Sequence, residues 1–164
     1  MISFTLDTKK CMAELLLRET FDNFLFIEGE ITTFNKFSID GYIHKEFYKT
    51  DESQAPAEDS HSAWHMLREF CFSLIKGKRT PLNFRFIFSL AKDGIRALIA
   101  EKQLDFQPDT VQGLYLNFRY DGALLTCTSG TSLNTFTMDK SLEHAFDQWI
   151  GEFFSAHGIN WNLQ

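Results

Sequence analysis

The sequence contains two stretches that match each other in order, as if one structural unit occurred twice. Phe4–Leu6 and Phe88–Leu90 each lead into a predicted helix, in which Ala13 and Ala97 occupy the same place. Two more pairs of segments match further on: Phe37–Gly41 with Phe118–Gly122, and Glu69–Cys71 with Glu152–Phe154. The offsets are 84, 81 and 83 residues, close to half of the 164 in the chain. The pattern predicts two similar halves, at about 1–80 and 81–164.

Chance similarity is the alternative to duplication. Residues 35–40 also match residues 134–139, at an offset of 99 that departs from the other matches. Two α+β stretches of similar composition can agree over a few residues by chance. We predict duplication and keep chance similarity as the alternative.

Each half is predicted to run strand, helix, several antiparallel strands, helix. Helical spacing of apolar residues predicts extra amphipathic helices at 61–76 and 140–157, the second with Asp139 in front and Gly158 behind. With 44% hydrophobic residues and 18 phenylalanines, the chain is long enough to bury a real core. We therefore expect one α+β domain, residues 1–164, with pseudo-twofold symmetry and helices on one side of an antiparallel sheet.

Short motifs predict the turns and loops. Asp40-Gly41 and Asp121-Gly122 are dipeptides typical of two-residue hairpins between strand-like segments. Residues 50–60 carry four acids and a proline, which predicts an acidic surface loop. Residues 132–138 are predicted as a further strand.

Composition limits the partners and the compartment. The formal net charge of −6 opposes non-specific attraction to nucleic acid or anionic lipid. Three widely spaced cysteines indicate reduced thiols and not a disulfide framework. No apolar run reaches the roughly 18 residues of a membrane span and no signal peptide is evident, so a cytoplasmic protein is expected. Glycine-rich phosphate loops are absent, so no cofactor is predicted.

Two segments, Thr20–Gly41 and Leu124–Phe146, resemble an uncharacterised family of short bacterial proteins of unknown function. The likeness extends over most of the chain and is loosest in the acidic loop. That family brings no activity and no site residues that carry over to this sequence. The resemblance therefore implies a small bacterial cytosolic domain and nothing about its chemistry.

At the level of the fold, a strand–helix–strands unit that occurs twice in one domain resembles the repeat of DNA sliding clamps. Helices line the DNA-encircling hole of clamps, so the resemblance implies cations on the exposed sides of the two repeat helices. Lys9 and Lys10 lie on the first predicted helix, and Lys92 and Arg96 on the second. Acids interrupt both helices, as is ordinary for a solvated helix face. The extra helices at 61–76 and 140–157 depart from the clamp pattern.

A second group of cations, Lys76, Lys78, Arg79 and Arg85, is the densest in the chain. It falls at the end of the predicted helix 61–76 and in the residues that follow. This cluster is a candidate anion-binding site. Complementing the helix dipole is the alternative reason for some of these cations.

His61 and His65 are four residues apart in the predicted helix 61–76. That spacing places two imidazoles on one helix face, as a zinc pair requires. A third ligand would have to come from Glu58, Asp59 or a distant residue. Exposed histidines after an acidic loop are the plainer interpretation.

Residues 126–132 form a hydroxyl-rich run with one thiol. Cys127 or Ser129 would be the nucleophile of a hydrolase, with His144 as the base and Glu143 to orient it. Nothing in the spacing brings His144 to this run. An ordinary strand and turn are the alternative, because threonine favours strands.

These patterns together predict a binding module that is not an enzyme and that acts on a protein partner or on a second copy of itself. Pairing between edge strands would give a homodimer. Nucleic acid is a further candidate partner. The alternative function is a small hydrolase or a metal-dependent enzyme, at the Cys127–Ser129 run or at the histidine pair.

Overall fold

The computed structural model describes residues 1–48, 59–75, 77 and 79–164 of the protein. Within these ranges the chain forms four α-helices and seven strands. In chain order they are β1 Ser3–Leu6, α1 Thr8–Leu16, β2 Leu25–Thr32, β3 Lys36–Asp40, α2 Trp64–Ile75, β4 Asn83–Ser89, α3 Lys92–Glu101, β5 Val111–Tyr120, β6 Leu125–Leu133, α4 Ser141–Ala156 and β7 Trp161–Leu163. The order strand, helix, strand, strand, helix occurs twice, as the sequence predicts.

All seven strands belong to one antiparallel sheet in the order β3-β2-β4-β5-β6-β1-β7. The fold is therefore α+β, with β5 as the central strand and β3 and β7 at the edges. The two halves share the hairpins β2–β3 and β5–β6. Their first strands pair differently, because β4 lies between β2 and β5 whereas β1 lies between β6 and β7. A twofold relation in strand pairing is thus limited to the two hairpins.

Alternate residues of the strands face a single core. On β4 the inward residues are Phe84, Phe86 and Phe88, and Phe118 and Cys127 continue the row of Phe86 on β5 and β6. Each helix adds buried residues to the same cluster: Leu15 from α1, Trp64 from α2, Leu98 from α3 and Phe146 from α4. The helices therefore pack on one face of the sheet.

Trp64 joins the helical layer to the sheet. Its indole is fully buried beside Phe26, Phe86 and Phe88, with ring centroids 5.2, 5.4 and 5.0 Å away. The indole N–H donates a hydrogen bond of 2.8 Å to the Leu15 carbonyl. Carbonyls in the last turn of a helix lack partners inside that helix. One side chain thus positions α1, α2 and the sheet relative to one another.

The prediction of a hairpin turn at Asp40-Gly41 is wrong. The turn between β2 and β3 lies at residues 33–35, and β3 ends at Asp40. The Gly41 N–H donates to the Ile27 carbonyl at 2.9 Å, and a Cβ on Gly41 would lie 1.8 Å from the Phe26 carbonyl oxygen. Glycine is therefore required by a close backbone contact and not by a turn.

The remaining predicted elements fit to differing degrees. Asp121-Gly122 forms the predicted hairpin, with Gly122 at a φ of 97°. The extra helices predicted at 61–76 and 140–157 are α2 and α4, shorter at both ends. β6 ends at Leu133, so the strand predicted at 132–138 is not formed, and β7 was not predicted. Most of the acidic loop 50–60 lies outside the described residues. Within the described part of the chain, no helix has the length and apolar character needed to cross a membrane.

Candidate functional site

The sheet face opposite the helices remains accessible to solvent, and we call it the open face. Its residues are mostly polar: Ser3, Thr5, Glu28, Glu30, Arg85, Ile87, Tyr115, Asn117, Arg119, Thr126 and Thr128, each of which is at least partly exposed. Because β5 is the middle strand, Tyr115, Asn117 and Arg119 form the central row of this face. These three side chains have neighbours on both sides and are the best placed to contact a ligand.

Arg85 and Arg119 lie directly opposite each other on β4 and β5. The Leu90 N–H donates to the Leu114 carbonyl at 3.0 Å, so these two residues form a hydrogen-bonded pair. Hydrogen-bonded and non-hydrogen-bonded pairs alternate along antiparallel strands, so Arg85 and Arg119, five residues away on each strand, form a non-hydrogen-bonded pair. In such a pair the Cβ atoms are about 5 Å apart, and like charges destabilise the sheet. Two guanidinium groups in this position repel each other unless carboxylates or an external anion lie beside them.

The two arginines differ in their counter-charges. The Arg85 guanidinium lies 3.5 Å from the Glu28 carboxylate and 4.0 Å from that of Glu30. Among the described residues, no carboxylate makes an ion pair with Arg119, which is exposed. Both arginines line a hollow of about 430 Å³ together with Glu30, Asn83 and Asp121. The hollow therefore contains a guanidinium that can accept an external anion.

Asp121 lines the same hollow but is engaged in the β5–β6 turn. Its carboxylate accepts hydrogen bonds from the N–H groups of Leu124 and Ala123, at 2.8 and 2.9 Å. These bonds, with a smaller contribution from the charge of Arg119, hold the pKa of Asp121 below its ordinary value. The carboxylate therefore stays ionised near neutral pH and is a poor proton acceptor.

Asn117 carries an unpaired acceptor in the middle of the open face. Its Oδ1 atom is buried and has no hydrogen-bond partner among the described residues. Its neighbours across the strands are Ile87 and Thr128. A buried acceptor without a partner costs about 1–3 kcal/mol. A hydrogen-bond donor would remove that penalty if the Asn117 side chain turned to expose this atom.

Tyr115 lies over two glycines on the open face. A Cβ on Gly113 would be 2.3 Å from the Cζ atom of the tyrosine ring, and a Cβ on Gly130 would be 3.6 Å from the Tyr115 Cβ. The glycines therefore leave the space in which the half-buried ring packs against the sheet. A ring held in this way offers a surface against which a planar group can stack.

The cations predicted to face DNA are placed on α1 and α3, as expected for Lys9, Lys10, Lys92 and Arg96. Lys9 and Lys92 are exposed, whereas the Arg96 guanidinium lies 2.7 Å from the Asp93 carboxylate. Acidic partners thus offset part of the charge on these helices. DNA contact by this surface stays a prediction.

Lys10 has a structural partner in Glu14, a buried carboxylate on α1. Lys10 Nζ and Arg18 Nε lie 2.9 and 3.5 Å from Glu14 Oε1, and the Thr20 hydroxyl donates to Oε2. Burial opposes ionisation of Glu14, but the hydrogen bonds from Thr20 and Lys10 and the two positive charges outweigh it and lower its pKa. This network accounts for the presence of Lys10 without nucleic acid.

The structure describes two of the four residues of the predicted anion-binding cluster, Arg79 and Arg85. Lys76 and Lys78 lie outside the described residues. Arg79 is exposed in the segment before β4. Arg85 is part of β4 and faces Arg119 across the sheet. An anion site at the end of α2 stays a prediction, and Arg85 is the member of this cluster that the structure places on the open face.

The premise that His61 and His65 share a helix is wrong, because α2 begins at Trp64. His61 instead pairs with Tyr42 in an isolated bridge, and its Nδ1 lies 2.8 Å from the Ser60 hydroxyl. Among the residues that the structure describes, no three His, Cys, Asp or Glu side chains are arranged to hold a metal ion. Glu58, one of the predicted ligands, lies outside those residues.

The predicted nucleophile run is not assembled with a base. Cys127 is completely buried, which raises the pKa of its thiol well above the ordinary value and disfavours the thiolate. The Ser129 hydroxyl donates to the Asp147 carboxylate at 2.5 Å. His144 is exposed on α4 and is not hydrogen-bonded to either residue in the described structure. The residue of α4 that reaches the run is thus Asp147 and not His144.

Sequence reasoning missed the central row of Tyr115, Asn117 and Arg119. The available signal was the alternation in β5, where these residues separate the inward Leu114, Leu116 and Phe118. That alternation indicates which residues share a face. It does not show which strands lie on either side, and the pairing with Arg85 depends on that.

Comparison with known proteins places the chain in a family without a known activity. A family model described as a family of unknown function (DUF5721) matches residues 14–162. Because the match covers most of the chain, the protein belongs to that family. The matched range includes Arg85, Tyr115, Asn117 and Arg119. No curated protein and no solved structure matches the chain. Membership of an uncharacterised family, predicted from the sequence, is confirmed, whereas the resemblance to a sliding-clamp domain has no counterpart among solved structures.

Proposed function

We propose that this member of a family of unknown function is a non-enzymatic binding module whose open face binds a small ligand that carries an oxyanion. The observation that carries the proposal is the register of Arg85 opposite Arg119. A carboxylate or phosphate group in the hollow would replace their repulsion with charge-assisted hydrogen bonds. Guanidinium groups suit such oxyanions because their planar N–H forks match two oxygens at once.

The surroundings of the arginines support a prepared site. β4 and β5 are interior strands, each paired on both sides. The Arg85 side chain is only 34% exposed and is oriented by Glu28. A ligand that meets groups already held in place loses less affinity to ordering than one that must order them. Arg119 would then be the group that completes the site around the anion.

The rest of the central row indicates what else the ligand carries. Along a strand, alternate residues are about 7 Å apart, so Asn117 and Tyr115 lie about 7 and 13 Å from Arg119. Asn117 calls for a hydrogen-bond donor, because its Oδ1 is buried without a partner among the described residues. Tyr115 suits a planar group. We infer a ligand with an oxyanion at one end, a donor in its middle and a flat part at the other end.

The reactive groups that were considered for catalysis support binding over chemistry. Burial raises the pKa of the Cys127 thiol well above its ordinary value and disfavours the thiolate. Ser129 is hydrogen-bonded to Asp147, and Asp121 is held in its turn. None of these groups is prepared to attack or to deprotonate a ligand on the open face.

The test is an NMR titration of the isotope-labelled protein with inorganic phosphate at constant ionic strength. We expect saturable shifts of backbone amides around Arg85 and Arg119, and none in the four helices. Arg85→Gln and Arg119→Gln should each weaken binding by about tenfold or more, since a hydrogen bond to a charged group contributes about 1.5–3 kcal/mol. Arg79→Gln is the matched control, because it removes an exposed arginine outside the open face.

Shifts that never saturate, or that persist unchanged in Arg119→Gln, would contradict the anion site. Flavin mononucleotide serves as a second probe, because it combines a phosphate at one end, hydroxyl donors along its chain and a planar ring system at the far end. It should bind more tightly than inorganic phosphate, and Tyr115→Ala should remove the difference. Equal affinity of the two probes would limit the site to the anion and exclude Asn117 and Tyr115 as ligand contacts.

A further inference from the structure

We propose that β3 pairs with β3 of a second copy of this chain, so that two sheets join edge to edge in a homodimer. β3 is one edge of the sheet, and among the described residues no strand pairs with its outer side. An edge of this kind presents N–H and C=O groups to which another strand can bond. The dimer concerns assembly and does not depend on the anion site.

A hydrogen bond just beyond β3 identifies the groups that point outward. Gly41 donates its N–H to the Ile27 carbonyl at 2.9 Å, so residue 41 bonds toward β2. Antiparallel alternation then directs the backbone groups of Lys36, Ser38 and Asp40 away from β2. No described turn, loop or cap hydrogen bond uses these backbone groups. β3 therefore offers three consecutive outward residues for pairing.

A twofold axis at Ser38 gives the register in which all three outward residues pair with complementary partners. Ser38 lies opposite Ser38 of the second copy, and Lys36 lies opposite its Asp40, twice because of the symmetry. Opposite charges directly across antiparallel strands stabilise the pairing. Registers centred on Lys36 or on Asp40 would place like charges opposite each other. The charges of β3 thus select one alignment.

The same register brings exposed aromatic residues together. Phe34 is 87% exposed in the turn before β3 and Tyr42 is 53% exposed just beyond its end, so the axis at Ser38 brings the turn of one copy near Tyr42 of the other. On the helical side, Phe37 lies opposite Ile39 of the second copy, and both are partly exposed. The Phe34 and Phe37 rings already contact each other with centroids 5.9 Å apart. Pairing would therefore cover apolar surface as well as satisfy backbone groups.

Such a dimer would contain one continuous sheet with the helices of both copies on one face. Residues that lie opposite each other in a sheet point to the same side, so both open faces would share the other. The two Arg85 residues would be separated by five strand spacings, about 24 Å. The dimer would thus present two arginine pairs side by side.

Sedimentation equilibrium of the full chain tests the proposal. We expect a mass that rises from 19.0 kDa toward twice that value with concentration. Lys36→Asp and Asp40→Lys should each weaken self-association by about tenfold or more, because two attractive pairs become repulsive. An equimolar mixture of the two variants should recover the wild-type association through a heterodimer. In that heterodimer, residue 36 of each copy again lies opposite a residue 40 of the opposite charge. General damage to the fold would not produce this recovery.

Ser38→Pro provides a second, independent variant. It removes an outward N–H that the monomer does not use, and proline is tolerated at such edge positions. We expect this variant to be folded by circular dichroism and monomeric by sedimentation equilibrium. Leu163→Pro is the matched control on the opposite edge of the sheet. The Gln164 N–H bonds the Ser3 carbonyl, so the N–H of the preceding residue, Leu163, points away from β1 and is the equivalent outward group. The dimer of this variant should persist.

Three results would each overturn the proposal. The wild type would remain at 19.0 kDa up to about millimolar concentration, where even weak complexes form. Alternatively, Ser38→Pro would associate as well as the wild type, or the mixture of Lys36→Asp and Asp40→Lys would stay monomeric.

Discussion

The two faces of the sheet are made from alternate residues of the same strands and have opposite character. On β4, the inward residues Phe84, Phe86 and Phe88 are at most 1% exposed. The outward residues between them are Arg85 and Ile87, both partly exposed. The inward face meets four helices in one aromatic cluster. The open face meets solvent and carries a like-charged pair at its centre.

This difference separates the residues that stabilise the protein from those that are free to contact something else. Burial of the inward rings contributes about 25 cal/mol per Å² of apolar surface. On the open face, Arg119 lies opposite another arginine and has no ion pair among the described residues, and Asn117 carries a buried acceptor without a partner there. We therefore expect inward substitutions to change the free energy of unfolding, and substitutions on the open face to change binding.

Trp64→Ala should have the largest effect on stability. The indole is fully buried and its N–H bonds the Leu15 carbonyl. Truncation of a buried tryptophan lowers the free energy of unfolding by about 3–5 kcal/mol. Urea unfolding followed by circular dichroism measures the loss. Trp64→Phe keeps an aromatic ring without the donor and should lose about 1–3 kcal/mol, which remains measurable if the alanine variant does not fold.

Trp149→Ala is the control for that experiment. Trp149 is only half-buried on α4, where it packs against Phe146 and Phe153 with centroids 6.1 and 5.2 Å away. Its loss should be about 1–2 kcal/mol. An equal loss in the Trp64 and Trp149 variants would mean that the core does not depend on Trp64 as its position suggests.

Two glycines test the contrast between the faces with the same added methyl group. A Cβ on the inward Gly29 would lie 2.7 Å from the Phe86 ring and 2.8 Å from the Phe26 ring, both fully buried. Those rings have no space to move, so Gly29→Ala should cost about 1–3 kcal/mol. On the open face, Gly113→Ala would displace the half-buried Tyr115 ring toward solvent, at a cost below about 1 kcal/mol. Equal losses in urea unfolding would contradict the contrast.

The inward face could be predicted because its signals are local in sequence. Alternate phenylalanines at 84, 86 and 88 indicate a strand with one buried side. The helical period of apolar residues from 142 to 153 predicted α4 to within one residue at each end. The periods of strands and helices depend only on neighbouring residues, so no knowledge of the tertiary structure was needed.

The open face could not be predicted in the same way, because its site forms between distant segments. Arg85 and Arg119 are 34 residues apart and meet through the register of β4 with β5. In the sequence, Arg85 is nearer to Arg79 and was grouped with it. Gly41 shows the same limit: its contact with the Phe26 carbonyl is tertiary, whereas Asp40-Gly41 has the composition of a turn.

Glu14→Gln tests whether the helical layer depends on a charge as well as on burial. Burial opposes ionisation of Glu14, but hydrogen bonds from Thr20 and Lys10 outweigh it and hold the pKa of this carboxyl below its ordinary value. A carboxyl group whose pKa is lowered by folding stabilises the protein above the unfolded pKa, and this contribution is lost as the pH falls through the folded pKa. The variant should be less stable than the wild type at pH 7, and the difference should shrink below about pH 4.5.

Urea unfolding between pH 7 and pH 3 measures this difference. Thr20→Val removes one donor to the same carboxylate and should reduce the pH dependence without abolishing it. Equal stability of Glu14→Gln and wild type at neutral pH would show that the network around Glu14 contributes nothing to folding. The helical layer would then depend on apolar packing alone, which would widen the contrast with the open face.

The smallest effect on stability is expected for Arg119→Gln, at the centre of the open face. The side chain is exposed and has no ion pair among the described residues, so its loss should change the free energy of unfolding by less than about 0.5 kcal/mol. Relief of the repulsion from Arg85 acts in the stabilising direction. The measurement is urea unfolding in a buffer free of phosphate, with Arg79→Gln as the matched arginine control.

Urea unfolding in the presence of phosphate then distinguishes a role of Arg119 in binding from a role in stability. A ligand that binds only the folded protein raises the free energy of unfolding in proportion to the logarithm of its concentration above saturation. Wild type and Arg79→Gln should gain stability to the same extent, whereas Arg119→Gln should gain less at each phosphate concentration. A loss of more than about 1 kcal/mol in Arg119→Gln without phosphate would instead make Arg119 part of the folded framework. In that case the arginine pair would belong with the phenylalanines behind it, and the division between a stabilising face and a binding face would fail at its central strand.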